Sequence, residues 1–289
     1  MIAVVYSGSR FADWKLSSRG LVTAEFTTAG INPLSSDEKS ISSLLNKNNE
    51  LIINAEKIKR IYFFGAGASS PERKKVVSNA FQSFFRYGKV FVEHDLKAAA
   101  LAASGDSPCI AATIGSGSNA AYYNGRSIKE NNYGLGFILA DEGSANWMGR
   151  QLLKDFLYGN LPSHIEKKFI QKYNSDKKQI LEKVYRQAFP ALYLSSFADF
   201  ITETIEDKYS SNLVLEGFNL FFDKYIIPLS RKYSGVPLNF AGSAAAGFKE
   251  LLYQAAEQHQ LTINSVIKEP IYNVLHYYIN KNQHHESRN

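Results

Sequence analysis

A single cysteine, Cys109, in 289 residues rules out an internal disulfide framework, a thiolate zinc cage and an iron–sulfur cluster ligated by cysteines of one chain. A reducing cytoplasm is the compartment this usage predicts. No apolar run approaches the roughly 18 residues of a membrane span. The opening Met1-Ile2-Ala3-Val4-Val5 also lacks a basic leader region, so a soluble, unexported chain is expected. Histidines are equally sparse in pattern: His164, His259 and His276 stand alone and His284-His285 lies in a polar tail, so no metal-ligand spacing is present. The G-x-x-x-x-G-K-[ST] loop and the G-x-G-x-x-G fingerprint are both missing, which disfavours P-loop and dinucleotide-binding folds. The net charge is +6, but Lys and Arg are dispersed. Even the stretch carrying Lys167, Lys168, Lys172, Lys177, Lys178 and Lys183 lacks a continuous basic stripe and reads as a solvated helical face. Neither a nucleic acid nor a membrane is expected as partner.

Apolar residues make up 45% of the chain, with 19 Phe and 17 Tyr, enough for two ordinary cores. An internal echo points the same way. Ile2-Ala3-Val4-Val5-Tyr6-Ser7-Gly8-Ser9 is answered by Ile110-Ala111-Ala112-Thr113-Ile114-Gly115-Ser116-Gly117-Ser118, each a short apolar strand entering a Gly/Ser turn. A second strand follows each turn, Ala12 to Leu16 and Ala120 to Tyr123, and then a second turn at Ser18-Arg19-Gly20 and Asn124-Gly125. Order, turn chemistry and position at the head of each half agree, which favours a duplication.

Between the hairpins the pattern is mixed α/β. Ser35 and Glu38 have capping-box spacing before Ile41, Leu44 and Leu45. Arg60 to Gly65 reads as a strand, Ser70-Pro71 opens a helix with an aromatic core stripe, and Lys89 to Glu93 is a strand ending at His94-Asp95. Ala98 to Ala103 continues as a helix to Gly105. The second half carries a helical insertion from Asn146 to about Ala188, a helix around Asn212 to Lys224, a strand Pro237 to Ala241 and a helix Ala244 to Gln258. The expected lobes are 1–107 and 108–289, with a terminal helix near 270–281 able to pack back on the first.

Gly/Ser turns suit phosphates because small side chains let successive backbone N–H groups approach an anion. Three such turns follow apolar strands here: Ser7-Gly8-Ser9, Gly115-Ser116-Gly117-Ser118 and Ala241-Gly242-Ser243. Each alone reads equally as an ordinary turn.

Together with Asp13-Trp14, Gly30-Ile31-Asn32-Pro33, Phe64-Gly65-Ala66-Gly67, Asp95, Gly134-Leu135-Gly136 and Asp141-Glu142-Gly143-Ser144 followed by Trp147 and Gly149, these turns resemble a known group. It is the BadF/BadG/BcrA/BcrD-type ATPase and N-acetylglucosamine kinase family of the sugar kinase, heat-shock ATPase and actin superfamily, and the resemblance covers nearly the whole chain. It implies an α/β, two-lobed actin-like ATPase (ribonuclease H-like) fold with duplicated βββαβαβα lobes and an inter-lobe cleft. It implies ATP-dependent phosphorylation of N-acetylglucosamine or a related amino sugar, ATP and Mg²⁺ as cofactors, and a homodimer. By the same resemblance Asp95 is the general base, and Asn32, Asn119, Gly136 and Asp141 hold the sugar. Ser7, Gly8, Ser9, Arg10, Gly115, Ser116, Gly117, Ser118, Gly242 and Ser243 hold the nucleotide.

Local readings of some of these residues stand beside that one. Asp95 is also a good cap for the Ala-rich helix, Asn32 before Pro33 a turn former, and Asp141-Glu142 a pair suited to a helix dipole. One departure bears on activity. Where the family has Asp, small, Gly, small, Thr, Lys, Thr, this chain has Tyr6-Ser7-Gly8-Ser9-Arg10-Phe11-Ala12. Tyr6 replaces an acid that helps hold Mg²⁺, and Phe11 and Ala12 remove the ammonium and a hydroxyl that meet phosphate. Arg10 supplies a positive charge one position early. The alternative to a kinase is therefore a catalytically impaired pseudokinase that binds sugar or a partner protein. A dehydratase-activating ATPase is disfavoured by the lone Cys109.

Overall fold

The computed structural model describes residues 1–8, 10–129 and 133–286. The chain divides into two compact units, Met1–Ser107 with Gly125–Ser127 and Glu269–Asn289, and Pro108–Asn124 with Ile128–Lys268.

The first unit opens with an antiparallel meander, β1 (Ile2–Ser7), β2 (Phe11–Ser18) and β3 (Leu21–Ala29). Arg19 and Gly20 both take positive φ (52° and 82°), the two-residue turn whose twist matches its flanking strands. Then come α1 (Glu38–Leu45), α2 (Asn49–Asn54), β4 (Arg60–Gly65), α3 (Pro71–Phe84), β5 (Lys89–His94) and α4 (Asp95–Ser104). β4 lies parallel to β1 and β5 parallel to β4, so the sheet order is β3-β2-β1-β4-β5. Ser70 caps α3 with Pro71 in its first turn, as the sequence predicts, whereas α1 is capped by Asp37, which accepts from Ser40 N, and not by Ser35. Alternation along the strands sends Ala3, Val5, Trp14 and Phe63 to the core under α1 and α3, where Trp14 stacks on Phe81 at 5.7 Å.

The second unit repeats the plan. β6 (Cys109–Ile114), β7 (Ser118–Tyr123) and the short β8 (Ile128–Lys129) are antiparallel neighbours, and β9 (Leu238–Ala241) and β10 (Ile263–Ile267) continue the sheet in parallel. Its order, β10-β9-β6-β7-β8, is that of the first sheet read in reverse, and the duplication expected from the paired hairpins is borne out. Between β8 and β9 run α5 (Gly136–Leu139), α6 (Ala145–Tyr158), α7 (Ser163–Tyr173), α8 (Lys177–Tyr185), α9 (Pro190–Ser195), α10 (Ala198–Glu203) and α11 (Lys208–Phe221). A π-helical turn (Phe222–Ile226) and α12 (Ile227–Lys232) follow, and α13 (Ser243–Gly247) and α14 (Lys249–Gln258) lie between β9 and β10.

Several expected helices are subdivided. The insertion from Asn146 breaks at Gly159 and Asn174, both left-handed C-caps, the helix around Asn212 winds into the π-helical turn, and Ala244–Gln258 is interrupted at Phe248. The last helix, α15 (Ile271–Glu286), belongs to the first unit, where it packs on α4, β1 and β2 and stacks Tyr278 on Tyr62 with ring centroids 3.6 Å apart. Among the described residues no helix is long and apolar enough to cross a membrane.

Candidate functional site

In each unit the candidate residues gather where parallel strands end, the edge at which open α/β sheets bind ligands. In the first, Ser7 is in register with Gly65 and Gly65 with His94, so the exits of β1, β4 and β5 lie side by side and lead into Gly8, Ala66-Gly67 and Asp95. In the second, Thr113 and Ile267 are both in register with Ala241, which brings the turns after β6 and β9 together.

Asp95, the first residue of α4, is largely buried and its Oδ1 lies 2.9 Å from His94 Nδ1. The same oxygen accepts from Leu96 N at 2.8 Å, so the carboxylate does bond the helix start, although His94 occupies the cap position proper. Burial opposes its charge, but His94 and the Leu96 N–H outweigh this and hold the carboxyl below the usual range. It is ionised near neutrality and able to accept a proton. Close by in the same sheet, Tyr6 pairs with Asp13 across β1 and β2. Burial, Asp95 and Asp13 together push the Tyr6 phenol far above its ordinary value, so it stays protonated and offers a hydrogen-bond donor, not a metal ligand. Asp13 is itself raised by burial and Glu269, partly countered by Lys15.

The turn after β1 differs from expectation. Ser7 is fully buried, and its hydroxyl accepts from Ile31 N (2.8 Å) and donates to Ile31 O (3.0 Å). It braces the segment leading to Asn32 and has no hydroxyl to give a phosphate. Gly8 N donates to Phe11 O, Arg10 is exposed with its guanidinium 5.7 Å from the Phe11 ring centre, and Ser9 lies outside the described residues. Asn32 Oδ1 accepts from Leu34 N at 2.9 Å, the turn-forming bond. A Cβ on Gly67, at φ 81°, would stand 2.2 Å from that Oδ1, so the two loops touch through a glycine.

In the second unit the turn after β6 is tied to the start of α6. Ala145 N donates to Gly115 O (2.9 Å) and Asn146 N to Ser116 O (3.0 Å), while Ser144 caps the helix. Ser118 is also a brace, since its hydroxyl donates to Glu142 O at 2.8 Å; like Ser7 it is buried and spent on the neighbouring loop. Gly117 leaves room for Asp141, whose Oδ2 would stand 2.8 Å from a Cβ there, and Gly134 similarly leaves 2.9 Å to Asn119 Nδ2. Gly136 opens α5 two residues later with φ 79°. Gly242, at φ 117°, presses on the β6 exit, and Ser243 is exposed beside Gly115.

Asp141 is buried and left-handed (φ 64°), ahead of α6 and outside its first turn, so the helix-dipole reading does not describe it. Burial pushes its carboxyl up to about 6 and Glu142 adds to this, against the Ser118 N–H, Asn146 and Arg150. Asn146 is buried too, and its Oδ1 has no hydrogen-bond partner among the described residues. Glu142 is held below the usual carboxylate range: burial raises it, but Lys224 and Tyr225 prevail. No motif in the sequence singles out Lys224, Tyr225 or Asn146. They lie in helices with ordinary composition, and only the fold brings Tyr225 to Asp141 and Lys224 to its neighbour Glu142. Among the described residues no group of three or more His, Cys, Asp or Glu is placed to hold a metal ion.

No protein-family model matches this chain, and no curated protein does. Solved structures do. The "putative N-acetylglucosamine kinase" of Porphyromonas gingivalis is 33% identical, with 98% of this chain and 100% of that one covered and a TM-score of 0.91. The protein of the same description from Chromobacterium violaceum is 16% identical over 96% and 99% of the two chains, with a TM-score of 0.70. A ROK family glucokinase of Streptomyces griseus, solved with glucose and AMPPNP, is 11% identical over 96% and 97%, with a TM-score of 0.60. The latter two show a shared two-lobed sugar kinase fold. At one-third identity over 98% and 100% of the two chains, the chain belongs to the family of the Porphyromonas gingivalis protein.

Proposed function

We propose that the protein is a cytoplasmic kinase of N-acetylglucosamine or a related amino sugar, of the BadF/BadG/BcrA/BcrD type, acting as a homodimer. Asp95 takes the proton of the acceptor hydroxyl as the γ-phosphoryl of ATP arrives. Asn32, Asn119, Asp141 and the Gly136 backbone hold the sugar. The single observation that carries this reading is the ionised, largely buried Asp95 carboxylate at the exit of β5, level with the exits of β1 and β4. The buried Asn146 Oδ1 beside Asp141 adds to it, because an unpaired buried acceptor costs about 1–3 kcal/mol and a ligand hydroxyl relieves that cost.

In this reading ATP meets the turns at Gly8, Gly115–Gly117 and Gly242; the N–H groups of Gly8, Gly115 and Gly242 already bond Phe11 O, Gly117 O and Ile267 O, so Arg10 as the nearby cation and the exposed Ser243 hydroxyl are the side chains left to it. Ser7 and Ser118 support these turns from behind. Mg²⁺ fits poorly, since the neutral Tyr6 phenol replaces a carboxylate and is no ligand for a hard cation. That misfit favours a second reading, a pseudokinase that binds the sugar without turning it over.

ADP release decides between them: a kinase shows sugar-dependent release that disappears in Asp95→Asn. Stabilisation by N-acetylglucosamine in a thermal melt, with none by Mg·ATP and no ADP formed, selects the pseudokinase.

A further inference from the structure

Glu142 follows Asp141 and both its oxygens are taken by consecutive residues of the π-helical turn. Lys224 Nζ lies 2.7 Å from Oε1, and Tyr225 donates its hydroxyl to Oε2 at 2.7 Å. The same Tyr225 oxygen accepts from Asp141 N at 3.2 Å. One phenol therefore grips the backbone of Asp141 and the side chain of its neighbour at once. Both residues belong to the π turn Phe222–Ile226, and such turns are frequent at functional sites. Asp141 sits in a left-handed backbone at φ 64°, which Asp adopts more readily than most residues but still at a cost, so a bond that holds its N–H helps to keep it there.

We infer that Lys224 and Tyr225 form a clamp that fixes Asp141 in place, which makes them positioning residues for the sugar-binding acid. This rests on the reading of Asp141 given above. Tyr225 sets the geometry. Lys224 neutralises Glu142, which would otherwise act on Asp141 with its full negative charge. The charged and titratable groups acting on Asp141 are Glu142 on its own segment, Arg150 from α6 and Tyr225 from the π turn, with Lys224 of the same turn paired to Glu142. Of these, Lys224 is the one whose removal disturbs the fold least, since its side chain is 56% exposed and an exposed ion pair is worth about 0–1 kcal/mol.

The test uses the full chain with ¹³C-carboxyl-labelled aspartate, the Asp141 resonance being assigned by its loss in Asp141→Asn. In Lys224→Met the Asp141 titration midpoint should rise by about half a pH unit or more, with thermal stability almost unchanged. In Tyr225→Phe, N-acetylglucosamine measured by calorimetry should bind roughly tenfold more weakly. If the midpoint stays at its wild-type value in Lys224→Met, the clamp is overturned, whether or not the protein binds sugar. If Asp141→Asn leaves calorimetric binding intact while the midpoint still moves, the clamp stands and the sugar reading of Asp141 fails.

Discussion

The carbonyl oxygen of Ile114 occupies the place a side chain on Gly242 would need: a Cβ there would come within 2.5 Å of it. Both residues lie at strand exits of the second sheet, so the contact sets how closely two candidate nucleotide turns approach. Gly242→Ala adds left-handed strain to this clash, at φ 117°. It should destabilise the protein by at least about 2 kcal/mol. Denaturant unfolding measures this, and a variant as stable as wild type would contradict the close approach of the two turns.

Ser7→Ala separates a brace from a phosphate ligand. Loss of a hydroxyl that meets both Ile31 backbone groups in a fully buried site should cost roughly 1–3 kcal/mol in unfolding. A variant with unchanged stability and weakened nucleotide binding would show that the serine serves the ligand after all.

Tyr6→Asp puts a third carboxylate beside Asp95 and Asp13, whose fields already act on the phenol. The expected result is a protein destabilised without divalent cation and stabilised on adding Mg²⁺, while wild type is indifferent to it. Thermal melts with and without millimolar Mg²⁺, on the order of its weak-site affinities, read this directly. Indifference in both proteins would place Tyr6 away from any cation position.

Asp141→Asn concerns pH. The folded carboxyl titrates at about 6 against an ordinary value of 3.8, so the native state binds the proton more tightly than the unfolded chain. Its stabilising share is present below pH 4 and is lost as pH rises through 6, on the order of 2–3 kcal/mol. Asn tolerates a left-handed backbone. The melting temperature of Asp141→Asn relative to wild type should therefore climb between pH 4 and pH 7, and a gap that stays flat across that range contradicts the burial argument.

Much of this arrangement is legible in residue order. The paired apolar strands with Gly/Ser turns foretell two sheets of one design, and Ser70-Pro71 and Gly105 mark helix ends correctly, because capping and turn chemistry are local. β3, β8 and β10 do not stand out individually. Leu21–Ala29 alternates on a mostly solvated edge, Ile128–Lys129 is two residues long, and Ile263–Ile267 is a short run that only its place beside β9 makes a strand. Side-chain roles are the least legible. Ser7 and Ser118 sit in phosphate-turn contexts, but burial decides that they serve neighbouring loops, and burial depends on contacts 24 residues away in sequence. The Lys224–Tyr225 pair is further still, 82 and 83 residues from Glu142.

The position of α15 has a consequence for how the chain reaches this state. Residues 1–107 leave the ribosome long before Tyr278 exists to stack on Tyr62, and the second unit, ending at Lys268, is fully synthesised first. Until residues 269–289 emerge, the part of the earlier sheet that α15 covers, with Tyr62 on it, lacks its partner. It is then a natural target for a chaperone, and a nonsense codon between Lys268 and Tyr278 would remove the ring that covers Tyr62.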